Sequence, residues 1–149
     1  MRLAGEGLAL DVQRGWEARI FTPDLPPPAI NLPIVRLTNF AMPLTRDTYA
    51  EDVADELKSG HVVASLVEFD GALADRGLYA PQGVPVLHEA DLDPRAVQRH
   101  RPGRAGVQRF FSMHGRAFSL YVVARQGPGL PQGLRELHAT LRSLVVQAR

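Results

Sequence analysis

Apolar and polar residues alternate most regularly between Val107 and Arg125, and this pattern predicts a β-hairpin. The predicted turn is His114-Gly115, because glycine tolerates positive φ and histidine enters the left-handed region more readily than most residues. A two-residue turn sets apolar side chains on both faces of the hairpin, so both faces need cover. The hairpin is therefore expected at the centre of an antiparallel sheet.

Other stretches of the chain also have the pattern of strands. Residues 8–12 and 16–20 alternate, and a three-residue connection between them would place Val12 opposite Ala18. Residues 61–69 are β-branched and almost continuously apolar, which is typical of a strand that is buried on both faces. We expect this buried strand to lie close to the hairpin.

Proline and glycine divide the remaining chain. Residues 22–33 contain five of the twelve prolines and are expected to form a stiff connector. Residues 34–42 are then expected to form a strand. Residues 72–106 are interrupted by glycine and proline throughout, so they are expected to be irregular. Within that segment, Asp93 is predicted to cap a short helix over residues 94–100.

Two longer helices are predicted. Thr48 and Glu51 form a capping-box pattern, and apolar residues then recur every four positions as far as Gly60. Leucines at steps of three and four residues predict a second helix over residues 134–145, although residues 144–146 are also compatible with a short edge strand. The expected fold class is therefore α+β, with a central antiparallel sheet flanked by helices.

Length and composition are those of a single domain over residues 1–149. The chain has no cysteine, which excludes disulfides and thiolate chemistry. Its first residues lack the apolar run of a signal peptide, and no stretch approaches the roughly 18 apolar residues of a membrane span. The sequence is therefore expected to be cytoplasmic, unless a leader has been trimmed.

Charge is distributed unevenly. Residues 1–93 have seven basic and fifteen acidic side chains, a net charge of −8, whereas residues 94–149 have ten basic and one acidic, a net charge of +9. Either the two halves neutralise each other inside the fold, or the basic half presents a face to nucleic acid or another anion. The candidate residues for such a face are Arg95, Arg99, Arg101, Arg104 and Arg109.

No motif for catalysis, cofactor binding or metal binding is present. The five histidines are scattered without metal-ligand spacing, and the sequence lacks a nucleophile elbow, a phosphate-binding loop and a dinucleotide fingerprint. We therefore predict no catalytic, cofactor-binding or metal-binding residue and a non-enzymatic chain. An enzyme with an unrecognised cleft between the sheet and residues 72–106 remains an alternative.

The order of elements resembles a known family. The stretches that carry the likeness are LALDVQRGW at 8–16, the predicted helix at 48–57, the strand pair at 110–111 and 120–123, and the helix at 134–144. Together they resemble the α/β/α sandwich of the PsbP extrinsic subunit of photosystem II and of bacterial PsbP-like and DcrB-like proteins. Residues 106–123 are also similar to uncharacterised proteins from GC-rich bacterial genomes.

This resemblance implies a function but no catalytic residue. Members of the fold mostly act as accessory, adaptor or chaperone proteins, so the chain is expected to bind a protein, either a second copy of itself or another subunit. Binding of an anion or nucleic acid through residues 95–109 is the second hypothesis.

Overall fold

Eight strands and one α-helix are present in the computed structural model, which describes residues 1–45 and 47–149. In chain order they are β1 (Arg2–Gly5), β2 (Leu8–Asp11), β3 (Glu17–Phe21), β4 (Ile34–Thr38), β5 (Val62–Phe69), β6 (Arg104–Met113), β7 (Arg116–Arg125), α1 (Leu130–Arg142) and β8 (Val145–Val146). The small sheet has the order β1-β2-β8, and the large sheet has the order β3-β4-β5-β7-β6. All pairs of neighbouring strands are antiparallel.

The predicted hairpin is confirmed, but its expected position at the centre of the sheet is wrong, because β6 is an edge strand and β5 is the central strand of the large sheet. Strands β6 and β7 pair with Phe111 opposite Phe118, and the turn residues His114 and Gly115 have φ values of 49° and 75°. Two consecutive residues with positive φ are what a tight hairpin turn requires, because this twist matches that of the flanking strands. The buried strand β5 pairs with β7 and thus lies beside the hairpin, which is the proximity that the sequence predicted.

One face of the large sheet, here called the inner face, packs against α1 and the small sheet. Its side chains join one core with those of β2 and α1, and this core includes Leu66, Phe118, Leu10 and Leu137. The helix runs over Leu130–Arg142 instead of the predicted 134–145, and its leucine stripe is buried as predicted. The short edge strand at the C terminus is also present as β8.

The opposite face, here called the outer face, is covered by irregular chain instead of helices. Val63, Tyr121 and Val123 of the sheet pack there against Val53 and Leu57, which belong to the segment between β4 and β5. The predicted α/β/α sandwich is therefore wrong. The described residues form a mostly β fold with two sheets and one short helix. The outer layer is irregular because tertiary contacts hold it in a conformation that is not helical.

The predicted helix over residues 48–60 is wrong: only Val53–Glu56 form a single 3-10 turn. Backbone carbonyls of this segment accept hydrogen bonds from arginines far along the chain. Arg104 donates to the carbonyls of Ala54 and Asp55 at 3.0 Å each, and Arg125 donates to that of Leu57 at 2.9 Å. These guanidinium donors take the place of helical N–H groups, so the capping-box pattern does not decide the structure.

The predicted pairing of the N-terminal strands is also wrong. Strand β2 pairs with β1 and β8, whereas β3 pairs with β4 in the other sheet. The unpredicted β1 joins β2 through a two-residue turn at Glu6-Gly7, where φ is 56° and 74°. Strand β2 thus forms a tight local hairpin with β1 in place of the predicted hairpin with β3, which would need a longer connection.

Several boundaries differ from those expected. The strand predicted over 34–42 ends at Thr38, and the helix predicted over 94–100 is a 3-10 turn at Pro94–Ala96, although Asp93 does accept a hydrogen bond from the backbone of Arg95. Residues 22–33 contain no helix or strand, as predicted. Among the described residues, no helix has the length and apolar character needed to cross a membrane.

Candidate functional site

A cleft of about 620 Å³ opens on the outer face beside the proline-rich connector. Here it is called the acidic groove. Ile34 of β4 and Val67 of β5 are directly opposite each other in the sheet, and together with Phe69 they provide its apolar strand residues. A cleft of this volume matches the usual size of ligand-binding sites in proteins.

The proline-rich connector forms one wall of the acidic groove. The Asn31 side chain accepts a hydrogen bond from the backbone N–H of Leu25 and donates one to its carbonyl, both at 3.0 Å, which closes the loop. Leu25 and Ile30 remain 47% and 62% exposed in this loop, and Leu73 on another segment is 42% exposed. Three large apolar side chains therefore reach solvent around one cleft, a feature typical of interaction sites.

The other wall, around residues 47–49, is fixed to the sheet by Arg36. This side chain is 1% exposed and donates to the carbonyls of Asp47 at 2.8 Å and Thr48 at 2.6 Å. Its Nε also donates to Ser65 Oγ at 2.9 Å. Because the arginine is held in the sheet, the wall that it supports is positioned before any ligand arrives.

The pKa of Arg36 is lowered to about 10, mainly by burial and also by the nearby charge of Arg19, while Asp52 and Asp47 act in the opposite direction. The guanidinium thus stays positively charged at neutral pH. Sequence reasoning missed this residue. The signal that could have found it is a single charged residue within the strand Ile34–Thr38, whose other residues are uncharged.

Tyr49 and Gln98 connect the groove to the covered part of the outer face. The rings of Tyr49 and Tyr121 lie edge to face with centroids 5.3 Å apart, and the backbone N–H of Gln98 donates to the Tyr121 hydroxyl at 3.0 Å. Burial raises the pKa of the Tyr49 phenol, against the lowering effect of hydrogen bonds with Ser119 and Gln108. Both phenols are therefore neutral structural groups at physiological pH.

Three carboxylates of the groove share one arrangement, in which one oxygen is held by the protein. Asp47 Oδ2 accepts from the backbone of Asp52 at 3.2 Å, and Asp70 Oδ1 accepts from the backbone of Ala72 at 3.0 Å. Glu51 Oε1 is bound by Arg101. Its other oxygen, Oε2, is buried and has no hydrogen-bond donor among the described residues.

Glu68 also contributes to the lining of the groove, but its charge is already neutralised. Because side chains alternate along β5, its carboxylate lies on the inner face of the sheet. There it forms ion pairs with Arg116 at 2.6 Å and Arg149 at 3.1 Å. Burial alone would raise the pKa of Glu68, but the hydrogen bonds and charges of the two arginines outweigh burial and lower it. Glu68 is therefore a structural ion-pair residue rather than a free acceptor for a ligand.

The five arginines predicted to form a basic face all have partners inside the chain. Arg101 is 7% exposed and donates to the carboxylates of both Glu51 and Asp55. Arg104 donates to backbone carbonyls of the segment between β4 and β5. These two guanidinium groups thus fasten that segment to the start of β6.

The remaining three arginines form ion pairs at the surface. The partners are Asp93 for Arg95 at 3.4 Å, Asp55 for Arg99 at 3.2 Å and Asp91 for Arg109 at 3.5 Å. Such exposed pairs contribute little to stability, yet they neutralise charge locally. This arrangement supports the first of the two interpretations of the charge asymmetry, in which acidic and basic halves neutralise each other, and anion binding stays a prediction.

No group of three or more histidine, aspartate or glutamate side chains within residues 1–45 and 47–149 has the arrangement of a metal site. The acidic groove combines exposed apolar side chains with carboxylates, and its described lining contains no lysine, arginine or histidine. Chemically, it is suited to an apolar group that carries positive charge.

Comparison with known proteins gives no significant match to any family model, any curated protein or any solved structure. The resemblance to PsbP-like and DcrB-like proteins therefore stays a prediction, and the function has to be inferred from the geometry of the acidic groove.

Proposed function

We propose that this chain is a non-enzymatic protein-binding domain that acts as an accessory, adaptor or chaperone-like partner. The partner docks an apolar segment in the acidic groove. The observation that carries the proposal is the convergence of exposed Leu25, Ile30 and Leu73 around one cleft. A cytoplasmic location, expected from the sequence, stays part of this proposal.

The preformed walls of the groove support peptide binding. Asn31 closes the connector loop on one side, and Arg36 supports the backbone of Asp47 and Thr48 on the other. An incoming segment thus does not have to order the walls, and less conformational entropy is lost on binding. The strand residues Ile34 and Val67 are buried below the opening and supply an apolar surface for its side chains.

The connector contributes side chains to the cleft that are still exposed to solvent. A segment with alternating or clustered apolar residues would bury Leu25 and Ile30, which now contact solvent. Each large apolar side chain that is fully buried contributes about 1.5–3 kcal/mol. Apolar side chains buried on both the groove and the peptide supply this favourable part of the binding free energy, against which the cost of association counts.

A peptide-display selection on the immobilised chain tests the proposal. We expect random peptides rich in apolar residues to be enriched, with affinities of about 10 µM measured by calorimetry. Ile30→Ser should weaken the selected peptides about tenfold, because it removes apolar contact area at the groove.

The matched control is Leu78→Ser, since Leu78 is 68% exposed and lies outside the groove. This variant should bind the same peptides as the unaltered chain. The proposal is overturned if no peptide is enriched, or if Ile30→Ser and Leu78→Ser affect the selected peptides equally.

A further inference from the structure

The charge of the acidic groove restricts the kind of segment that it accepts. Asp47, Glu51 and Asp70 lie in the lining, and the fourth acid, Glu68, is bound by two arginines. The described lining contains no basic side chain, and of the first three acids only Glu51 has an ion-pair partner among the described residues, Arg101 from outside the lining. A cleft with one sign of charge and apolar walls attracts ligands of the opposite sign.

We infer that the occupant of the groove is a protein segment in which apolar side chains accompany a lysine or arginine, and that its cation is received by Asp47, Glu51 and Asp70. This inference rests on the proposed function and deepens it. The geometry of the three carboxylates supplies the argument.

Asp47 and Asp70 are each oriented through one carboxylate oxygen and leave the other accessible to a ligand. Asp47 and Asp70 are exposed side chains, each of which uses one oxygen to accept from a backbone N–H. Their second oxygens have no hydrogen-bond donor among the described residues. Carboxylates held in this manner form charge-assisted hydrogen bonds without first losing side-chain freedom.

Among the three carboxylates, Glu51 has the one whose second oxygen is buried. Arg101 occupies Oε1, while Oε2 is buried without a donor among the described residues, although the side chain as a whole is 21% exposed. A buried acceptor without a partner is unfavourable, more so when it belongs to a charged group. A small rotation toward the groove that brings Oε2 to an ammonium or guanidinium donor would relieve this cost.

The same peptide selection tests the inference with a different readout, the frequency of lysine and arginine among the enriched peptides. We expect both residues to be enriched several-fold over the unselected pool. Replacing the selected lysine by norleucine, which keeps the aliphatic stem and removes the charge, should weaken binding about tenfold. Affinity should also fall as the salt concentration rises.

Three variants test which carboxylates accept hydrogen bonds from the lysine or arginine of the peptide. They are Asp47→Asn, Glu51→Gln and Asp70→Asn. Each should reduce the difference in affinity between the lysine peptide and the norleucine peptide. The matched control is Asp55→Asn, because Asp55 binds the same Arg101 but lies outside the groove lining. If Glu51→Gln fails to fold, the variants at exposed Asp47 and Asp70 still decide the outcome.

The outcomes separate this inference from the proposed function. Apolar peptides that depend on Ile30 but show no enrichment in lysine or arginine would overturn the inference and leave the protein-binding proposal in place. A lysine preference that survives all three substitutions would overturn the assignment of the acceptors. If no peptide binds, both the inference and the proposed function fail.

Discussion

Glu68 of β5 and Arg116 of β7 form an ion pair at 2.6 Å in which both side chains are almost completely buried. Arg116 also donates to the carbonyls of Glu6, Gly7 and Gln147. The pair therefore connects the large sheet to the turn after β1 and to the chain after β8. A buried charge of this kind is tolerated because the Arg116 guanidinium donates to the Glu68 carboxylate and to three backbone carbonyls.

Glu68→Gln should destabilise the protein strongly. The substitution keeps the size of the side chain but leaves the buried Arg116 guanidinium without a counter-charge, which costs about 3 kcal/mol. The measurement is the free energy of unfolding in urea. Arg149→Ala is the control, because the Arg149 side chain is 51% exposed and should cost less than about 1 kcal/mol. Equal losses for the two variants would contradict the assignment of Arg116 as the buried partner.

Stability should decrease in acid because of the same carboxylate. The pKa of Glu68 is lower in the folded protein than in the unfolded chain. Its contribution is therefore complete above the unfolded pKa, near 4.5, and is lost as the pH falls through the folded value. Urea unfolding of the unaltered chain and of Glu68→Gln between neutral pH and pH 3 checks this. The two stability curves should converge as the pH falls, and curves that stay parallel would show that Glu68 is not the group responsible.

Arg101→Met should loosen the segment between β4 and β5 without unfolding the sheets. Arg101 binds the Glu51 side chain and backbone and the Asp55 side chain, so its loss removes one of the two arginines that attach this segment to the start of β6. We expect hydrogen exchange of amides in residues 49–57 to accelerate at least about tenfold, while amides of β5 and β7 keep their protection. Arg99→Met is the control, since its exposed side chain shares Asp55. Equal exchange in the two variants would contradict the special role of Arg101.

The parts of the fold that the sequence predicted correctly depend on local signals. His114-Gly115 requires only that two adjacent residues adopt positive φ, and the alternation on either side sets the register. The buried leucines of α1 follow from a stripe within one helix. The partner of β2 could not be predicted from its alternation, because a strand with one apolar face can pair with any edge that buries it.

The outer layer could not be predicted because long-range contacts decide it. The capping-box pattern at Thr48 and Glu51 is a local signal, but Arg101 and Arg104, some 50 residues along the chain, bind the carboxylates and carbonyls of that segment. The acidic groove unites residues from separate segments, so no spacing in the sequence reveals it. Arg36 alone left a sequence signal, as a charged residue within a buried strand.

Anion binding through Arg95, Arg99, Arg101, Arg104 and Arg109 is a prediction that a titration can decide. Because these guanidinium groups are engaged within the chain, we expect an oligothymidylate of about 20 nucleotides to bind no more tightly than about 100 µM at about 50 mM salt. Fluorescence anisotropy at increasing salt is the measurement. Micromolar affinity that falls steeply with salt would support the anion-binding hypothesis.

Trp16, the single tryptophan, should report the unfolding of the whole chain. It is 7% exposed, belongs to the core shared by both sheets and α1, and donates from its indole N–H to Glu136 Oε1 at 3.4 Å. Because one core includes both sheets, we expect the tryptophan fluorescence and the far-ultraviolet circular dichroism to change at the same urea concentration. Glu136→Gln keeps an acceptor oxygen and should change the free energy of unfolding by less than about 0.5 kcal/mol. A fluorescence transition that clearly precedes the loss of secondary structure would show that the region around Trp16 and α1 unfolds separately, and the expectation of a single domain over residues 1–149 would then be wrong.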